Sequence, residues 1–363
     1  MLTERDTLIF LNSLSIGNGN IIKIIEYFDD IREIWTIKES IFKKIQIIKP
    51  EIIDKILNNR NNNYLGDLTN RLNSLNIDII TVLDENYPDR LKYIYDKPAV
   101  LYAKGNYSIE DNLAIAIVGS RKATAYGKWA CEKFTKELVN LGVTIVSGLA
   151  MGIDSVAHKA AIEAGGRTIG VLGNGIDVVY PKNNTSLYNE VAKNGVVFTE
   201  FPLGTQPFNY NFPQRNRIIS GLSIGVIVIE AKEKSGSLIT AHLALDQGKE
   251  VFALPGNINS IYSGGTNRLI KDGARPLLDI DDIIEEIYEL QISMDKKKRE
   301  SIDYLSLSDT EVSIIKIIEE GPVHCDTIVM RTGIDISNVM SILTILELKG
   351  LIKELSNRIF TLC

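Results

Sequence analysis

The 363-residue sequence combines 45% hydrophobic with 24% charged residues and a net charge of −6, which is ordinary for a soluble globular protein of two or three domains. Its longest apolar runs, such as 113–118 and 224–229, are far shorter than the roughly 20 residues of a transmembrane helix, so we expect no membrane span. The net negative charge excludes a surface that is basic all round, although a nucleic-acid groove needs only a local positive patch.

The cysteines and histidines predict neither a metal site nor a disulfide framework. Cys131, Cys325 and Cys363 are widely separated without a CxxC pair, and the chain has only three histidines. The N-terminal residues lack the basic and apolar regions of a signal peptide. We therefore expect a cytoplasmic protein without metal or cofactor.

Residues 1–63 are predicted to form a small helical domain, because apolar residues recur at helical spacing from Leu8 to Ile45. The asparagine-rich segment 58–64 predicts a loop. The segment 14–25, LSIGNGNIIKII, is typical of a helix-hairpin-helix (SAM-like) unit, whose glycine amides can meet a phosphate without sequence preference. The same G-x-G spacing also occurs in plain turns between helices.

Residues 64–290 are predicted to form an α/β domain around a parallel sheet. Strands are expected at 77–82 and 99–103, followed by six apolar runs that alternate with helical patterns, at 114–118, 143–146, 168–172, 196–198, 225–229 and 251–254. Continuous Val/Ile-rich strands separated by helices predict a parallel sheet that is covered on both faces.

Residues 291–307 are polar and predict a linker, and residues 308–363 predict a winged-helix domain. Helical patterns at 310–319, 325–332 and 338–349 precede two short strands, which is the winged helix-turn-helix order. The predicted recognition helix is almost wholly apolar, and residues 304–363 carry five Lys and Arg against eight Asp and Glu. Because a DNA-reading helix needs cations, we expect this domain to have a structural or protein-binding role.

Polar residues follow each of the six predicted parallel strands. Ligands of open parallel sheets collect outside the carboxyl ends of the strands, so these residues form the candidate site. In strand order they are Gly119, Ser120, Arg121, Lys122 and Thr124; Gly148, Gly152 and Asp154; Lys182 and Asn184; Arg215, Asn216 and Arg217; Ser235, Gly236 and Ser237; and Gly264 and Gly265. Serines here are also good helix caps, but arginines at a helix start oppose the helix dipole unless an anion lies nearby. The set as a whole predicts an anion-binding cleft.

The segment 114–127, AIAIVGSRKATAYG, places cations where a dinucleotide-binding turn has glycines. The chain also lacks a Walker motif and an acidic residue at the spacing that holds a ribose. Cations beside Tyr126, Tyr180, Phe208, Tyr210 and Phe212 instead predict a track for a phosphodiester chain with stacked bases. No nucleophile or general base occurs at motif spacing, so we expect a DNA-binding protein without catalytic residues.

Six segments occur in the order seen in the DNA-processing protein A (DprA/Smf) family, which the sequence therefore resembles. They are IVGSRKAT, SGLAMGIDSVAH, GNGIDVVYPKNN, TEFPLGTQPFNYNFPQRNRIISGLS, EAKEKSGSLITAHLALDQGKEVFALPG and SGGTNRLIKDGA. The resemblance implies an extended Rossmann-like fold that binds single-stranded DNA, forms a homodimer through that domain and loads the recombinase RecA onto DNA in natural transformation or recombination. It also implies that Arg121 and Lys182 contact DNA, and that the signature includes Arg215, Arg217, Ser235, Ser237, Gly264 and Gly265.

Two other functions are open at this point. The phosphate-friendly loops and Glu200 suit a nucleotide-processing enzyme of the nucleoside monophosphate phosphoribohydrolase type, but those enzymes carry a P-G-G-x-G-T-x-x-E loop. The segment 263–270, SGGTNRLI, has the glycines without the following glutamate. A winged-helix transcription regulator with a ligand-sensing sheet is the second alternative, and the acidic wing disfavours it.

Overall fold

The computed structural model describes residues 2–300, 304 and 307–362. The chain forms two compact units, one that ends at Ile287 and one that begins at Tyr288. None of the helices in the described residues is by itself long and apolar enough to cross a membrane. The predicted domain boundaries at 63, 290 and 307 stay predictions. The helices before residue 63 belong to the same compact unit as the sheet.

The N-terminal region is helical, as expected. Its helices are α1 (Glu4–Ser13), α2 (Asn18–Tyr27), a 3-10 helix (Ile31–Trp35), α3 (Glu39–Phe42), α4 (Pro50–Asn59) and α5 (Asn62–Ser74). The loop predicted over 58–64 is wrong in extent, because only Arg60 and Asn61 separate two helices. The Asn61 side chain accepts a hydrogen bond from the Tyr64 N–H at 2.9 Å and so caps α5.

The N-terminal helices share a hydrophobic core with the sheet. Phe10, Ile24 and Phe42 are buried in one cluster with Tyr102 and Val197 of the sheet. This common core explains why the first compact unit includes both.

A nine-stranded sheet forms the centre of the first unit. Its strands are β1 (Asp78–Thr81), β2 (Val100–Gly105), β3 (Ala114–Val118), β4 (Thr144–Ser147), β5 (Thr168–Val171), β6 (Gly195–Thr199), β7 (Gly225–Val228), β8 (Glu250–Ala253) and β9 (Arg275–Pro276), in the spatial order β1-β2-β6-β5-β4-β3-β7-β8-β9. Strands β3 to β9 pair in parallel, whereas β1 and β2 add an antiparallel edge. The predicted Rossmann-like parallel sheet is therefore confirmed.

The helices of this unit are α6 (Ala125–Asn140), α7 (Ile153–Glu163), α8 (Thr185–Lys193), α9 (Asn211–Leu222), α10 (Gly236–Asp246), α11 (Gly264–Lys271) and α12 (Asp281–Glu286). From β3 the strand order runs one way through β4 to β6, and from β7 it runs the other way through β8 to β9. Right-handed crossovers consequently place α6 and α10 on opposite faces of the sheet. The carboxyl ends of β3 and β7 thus flank the topological switch point, where open α/β sheets bind ligands.

The second unit forms the predicted winged helix, with three short strands where two were predicted. It contains α13 (Tyr288–Glu300), α14 (Asp309–Ile318), β10 (Val323–His324), α15 (Cys325–Thr332), α16 (Ile336–Leu348), β11 (Ile352–Glu354) and β12 (Ile359–Leu362), with the strands in the order β10-β12-β11. Residues 291–300 of the predicted linker are helical, because Lys, Arg and Glu are good helix formers as well as typical linker residues. Apart from Tyr304 and Leu307, the rest of that predicted linker lies outside the described residues.

Candidate nucleic-acid interface

A cleft of about 380 Å³ opens at the switch point between β3 and β7. Three segments that are distant in sequence meet there: the β3–α6 loop, the first turns of α9 and the β7–α10 loop. Ten of the predicted site residues line it, namely Gly119, Ser120, Arg121, Lys122, Asp154, Arg215, Asn216, Ser235, Gly236 and Ser237. That these residues bind DNA stays a prediction, but the expected cleft exists at the expected end of the sheet.

A smaller pocket of about 210 Å³ adjoins the cleft on the β5 side. The two share Arg121, Lys122 and Phe212 in their linings, and the smaller pocket adds Gly148 and Tyr180. The shared residues make the two pockets neighbouring parts of one groove.

Lys182 lies beyond Tyr180, exposed in a short 3-10 helix (Lys182–Asn184). The Asn184 side chain donates to the Leu149 carbonyl oxygen and to the Ser155 hydroxyl, both at 2.9 Å. These bonds hold the Lys182 turn against the loop that follows β4. Asn184 therefore positions the turn, with its amide already engaged.

Four exposed cations line the groove, and a fifth, Lys182, directly follows the lining residue Pro181 in sequence. In the part of the chain that the structure describes, none of them forms an ion pair: Arg121, Lys122, Lys182, Lys232 and Lys234. The Arg121 guanidinium carbon lies 5.5 Å from the centroid of the Phe212 ring, and the Lys232 ammonium lies 5.2 Å from that of Tyr262. Cations next to aromatic faces, without carboxylate partners, suit a ligand that is both anionic and aromatic.

The two neighbouring lysines of the β7–α10 loop, Lys232 and Lys234, were not among the predicted site residues. The segment EAKEKSGS directly after a buried strand carried the signal, because it places two lysines just before the small residues Ser235, Gly236 and Ser237. The lysines belong with Arg121 and Lys122 because they line the same cleft.

Arg215 forms the floor of the groove and is only 4% exposed. Its guanidinium donates to the carbonyl oxygens of Gly148, at 2.9 Å, and Val171. Burial lowers the Arg215 pKa to about 10, the charge of Asp154 opposes this effect, and burial raises the pKa of Asp154. A Cβ on Gly148 would lie 2.7 Å from both side chains, so a larger residue there would displace them. The Arg215 guanidinium thus lies beneath the groove and does not extend out of it.

The structure does not place Arg217 in the groove. Its guanidinium pairs with both carboxylate oxygens of Glu200, at 2.5 and 2.6 Å, and its Nε lies 3.0 Å from the Asp96 carboxylate. An arginine near the start of a helix needs an anion beside it, and for Arg217 the protein itself supplies this anion as Glu200 and Asp96. Glu200, which motivated the enzyme alternative, is buried in this ion pair.

Thr124 also lies outside the cleft lining, because it is held by Glu230. The Thr124 N–H and hydroxyl donate to the Glu230 carboxylate at 3.0 and 2.5 Å, and the Thr124 oxygen accepts from the Gly127 N–H at 3.1 Å. A dinucleotide-binding fold uses this helix N-terminus for the pyrophosphate. Here the buried Glu230 carboxylate occupies it, which leaves the side chains of the preceding loop as the groups available to an anion.

Other predicted residues shape the loops. The Ser120 hydroxyl accepts from the Lys122 N–H at 3.1 Å, the Ser235 hydroxyl lies 2.8 Å from that of Ser237, and the Asn216 amide donates to Gly236. These bonds fix the two loops that carry the exposed cations.

Three predicted glycines do not line the cleft, and two of them, Gly152 and Gly265, allow loops to pack closely together. Gly152 has a φ of +84°, and a Cβ there would lie 2.2 Å from the Ser120 carbonyl oxygen. A Cβ on Gly265 would likewise lie 2.7 Å from the Lys232 carbonyl oxygen. Gly264 is the first residue of α11. Gly152 and Gly265 therefore allow backbone to approach backbone closely.

The fold and the groove define a Rossmann-type α/β protein with a basic, aromatic-edged groove at the switch point and an appended winged helix. The chain belongs to the DNA recombination-mediator protein A family, whose model matches residues 78–288. The DprA winged helix domain matches residues 303–358.

Similar proteins agree with this assignment. DNA processing protein DprA of Bacillus subtilis is 49% identical over 217 residues, which are 60% of this chain and 73% of the relative, and protein Smf of Escherichia coli is 39% identical over 276 residues, 75% and 74%. The X-ray structure of DprA from Streptococcus pneumoniae matches with a TM-score of 0.69 and 36% identity, over 79% of this chain and 98% of that one. DprA from Helicobacter pylori, described for its single-stranded DNA binding mode, matches with a TM-score of 0.53 and 33% identity, over 59% and 96%.

Proposed function

We propose that this protein binds single-stranded DNA without sequence specificity and loads the recombinase RecA onto it, during natural transformation or DNA recombination in the cytoplasm. The observation that carries the DNA-binding part is the set of four exposed cations that line the groove, together with Lys182 next to it in sequence. None of these five cations forms an ion pair within the described residues. Family membership and the ssDNA-binding relative from H. pylori support it. The RecA part rests on the family resemblance.

The groove suits a continuing polymer better than a compact nucleotide. Because Glu230 occupies the N-terminus of α6, phosphates would be bound by Arg121 and Lys122, whose side chains reach into both pockets. Lys182 extends the positive charge on one side, and the Lys232 loop extends it on the other. Phosphate contacts and base stacking carry no sequence information, so binding is expected to be tolerant of sequence.

We further propose a homodimer that forms through the Rossmann-like domain and a role without catalysis. A domain division at 1–63, 64–290 and 308–363 is part of the same proposal. The buried Glu200–Arg217 pair supports the absence of catalysis by Glu200, since a general base must be free to take a proton.

Fluorescence anisotropy with labelled oligonucleotides tests the binding. We expect tighter binding to single-stranded than to duplex DNA, and affinity that falls steeply with salt. Arg121→Ala and Lys182→Ala should each weaken binding to any sequence, while Lys159→Ala, an exposed lysine on α7, should not. Unchanged affinity in both groove variants, with the fold intact, would contradict the proposal.

RecA loading is tested separately by following RecA assembly on the same oligonucleotide with and without this protein. We expect faster RecA assembly with the wild-type protein and no such acceleration with Arg121→Ala.

Incubation with nucleoside monophosphates tests the enzyme alternative. Release of free base would favour a phosphoribohydrolase over a DNA-binding protein without catalysis.

A further inference from the structure

Two exposed aromatic side chains stand at the start of α6, beside the groove. Tyr126 is 48% and Trp129 is 58% exposed, and their rings stack with centroids 6.1 Å apart at an interplanar angle of 26°. The Tyr126 hydroxyl donates to the Pro255 carbonyl oxygen at 3.3 Å, which holds its ring against the β8–α11 loop. The same loop contributes Tyr262 to the cleft. We name Tyr126 and Trp129 the α6 aromatic pair.

The α6 aromatic pair continues directly from the cations of the groove. Lys122 lines both pockets, and only three residues separate it from Tyr126. Lys128 is exposed between the two aromatic residues in sequence, and neither lysine forms an ion pair in the described part of the chain. At about 1.5 Å per residue, Trp129 lies roughly 6 Å along the helix from its first residue. The pair therefore lies within roughly the first turn of the helix that follows the Lys122 loop.

The charges of Lys122 and Lys128 indicate which kind of ligand the exposed rings bind. A pair of lysines without carboxylate partners favours a polyanion over an apolar protein surface, and every nucleobase has a π face that stacks on an aromatic ring. We infer that the α6 aromatic pair is a base-stacking site that extends the single-stranded DNA track beyond the groove. This inference rests on the proposed function.

Intrinsic fluorescence provides a direct readout, because the chain contains only two tryptophans. Trp35 is half-buried, donates to the Thr7 hydroxyl at 2.8 Å and packs on Phe10, so Trp129 is the exposed reporter. The full-length wild type and Trp129→Phe are titrated with an oligothymidylate of about 20 nucleotides, a length that spans one or more binding sites. An abasic oligonucleotide of the same length is the matched probe, since it keeps the phosphates and lacks the bases.

We expect the oligothymidylate to quench the wild-type emission, Trp129→Phe to lose this quenching, and the abasic strand to cause none. Trp129→Ala should weaken oligothymidylate affinity by about 5- to 150-fold, the range for loss of one stacked base. Its salt dependence should match that of the wild type, because no charge is removed. Trp129→Phe should keep most of the affinity.

The control variant is Tyr93→Ala. Tyr93 is 87% exposed, but it lies with Asn112 and Lys249 at the amino ends of the strands, away from the groove. Its removal should leave affinity and Trp129 quenching unchanged.

Three results would overturn the inference. One is unchanged Trp129 emission at saturating oligothymidylate while Arg121→Ala still loses binding, which would leave the proposed function intact. A second is a Trp129→Ala protein with normal affinity and altered sedimentation, which would make the pair a contact between copies of the chain. The third is a wild-type protein that does not bind the oligonucleotide, which would overturn the proposed function as well.

Discussion

The imidazole of His158 donates from Nδ1 to the hydroxyl oxygen of Thr168 across 2.7 Å in the centre of the first unit. The direction follows from the Thr168 hydroxyl proton, which is donated to the Ile145 carbonyl oxygen at 2.8 Å. Nε2 is then the unprotonated nitrogen, and within the described residues it has no partner. Burial, with a smaller contribution from the charge of Arg215, lowers the His158 pKa to about 3. His158 is consequently a neutral core residue and not a general base.

We predict that His158 makes the free energy of unfolding depend on pH. The unfolded chain takes up a proton on His158 near pH 6.5, whereas the folded protein does so only near pH 3. His158 therefore makes its full contribution to the free energy of unfolding above pH 6.5. This contribution is lost as the pH falls toward 3, by at most about 1.4 kcal/mol per pH unit. In urea denaturation, the free energy of unfolding should fall less between pH 7 and pH 5 in His158→Gln than in the wild type. Equal losses would contradict the assignment.

The buried contact between Glu230 and Thr124 predicts a cost in stability. Glu230→Ala leaves the Thr124 N–H without its charged acceptor, so we expect a loss of about 1–3 kcal/mol in the free energy of unfolding. Thr124→Val combined with Glu230→Ala should lose less than the sum of the single variants. The control is Glu233→Ala, an exposed carboxylate in the same loop, whose effect should stay within about 0.5 kcal/mol.

The two arginines Arg121 and Arg217 should respond in opposite ways to substitution. Arg217→Met leaves the Glu200 carboxylate buried without its partner, so we expect a loss of about 3–5 kcal/mol in the free energy of unfolding. Arg121→Ala should change stability by less than about 0.5 kcal/mol, because its side chain is exposed. Thermal denaturation measures both.

DNA binding separates the same two variants. At a temperature where Arg217→Met is folded, its salt dependence of binding should equal that of the wild type, whereas Arg121→Ala should show a shallower one. Partial recovery of stability in Glu200→Gln combined with Arg217→Met would show that the loss came from the unpaired carboxylate. A shallower salt dependence in Arg217→Met would instead place this arginine on the DNA.

The parallel strands could be predicted because they are buried on both faces, so their sequences are unbroken apolar runs. All five residues of β3 are buried, for example, and the predicted range 114–118 is the observed one. Amino-acid composition predicted the segments between the strands less well. Asparagine favours loops and helix caps alike, which is why Asn61 caps α5 inside a segment predicted as a loop.

The site was predictable as far as strand ends determine it. Arg121 follows β3 directly, and its position at the carboxyl end of the sheet follows from the strand alone. Arg217 was beyond such reasoning, because its partner Glu200 is 17 residues away and the pair forms only when β6 and α9 pack together. The same holds for Thr124, whose partner Glu230 is 106 residues away.

The β7–α10 loop allows a test of the DNA track with three adjacent residues. Lys232 and Lys234 line the cleft, and Glu233 between them is exposed. Each lysine that contacts a phosphate releases a counterion, so Lys232→Ala and Lys234→Ala should each lower the slope of log K against log salt by about 0.7 for single strands. Glu233→Ala removes a repulsive charge and should leave that slope unchanged or tighten binding slightly at low salt.

Anisotropy titrations over a range of salt concentrations measure this series. The Lys232 side chain also lies over Tyr262, so Lys232→Arg serves as a second comparison that keeps both the charge and the contact with the ring. If the two alanine variants at the lysines keep the wild-type slope, the strand does not pass between β3 and β7. The track would then have to run from Arg121 to Lys182 alone, on the side of the smaller pocket.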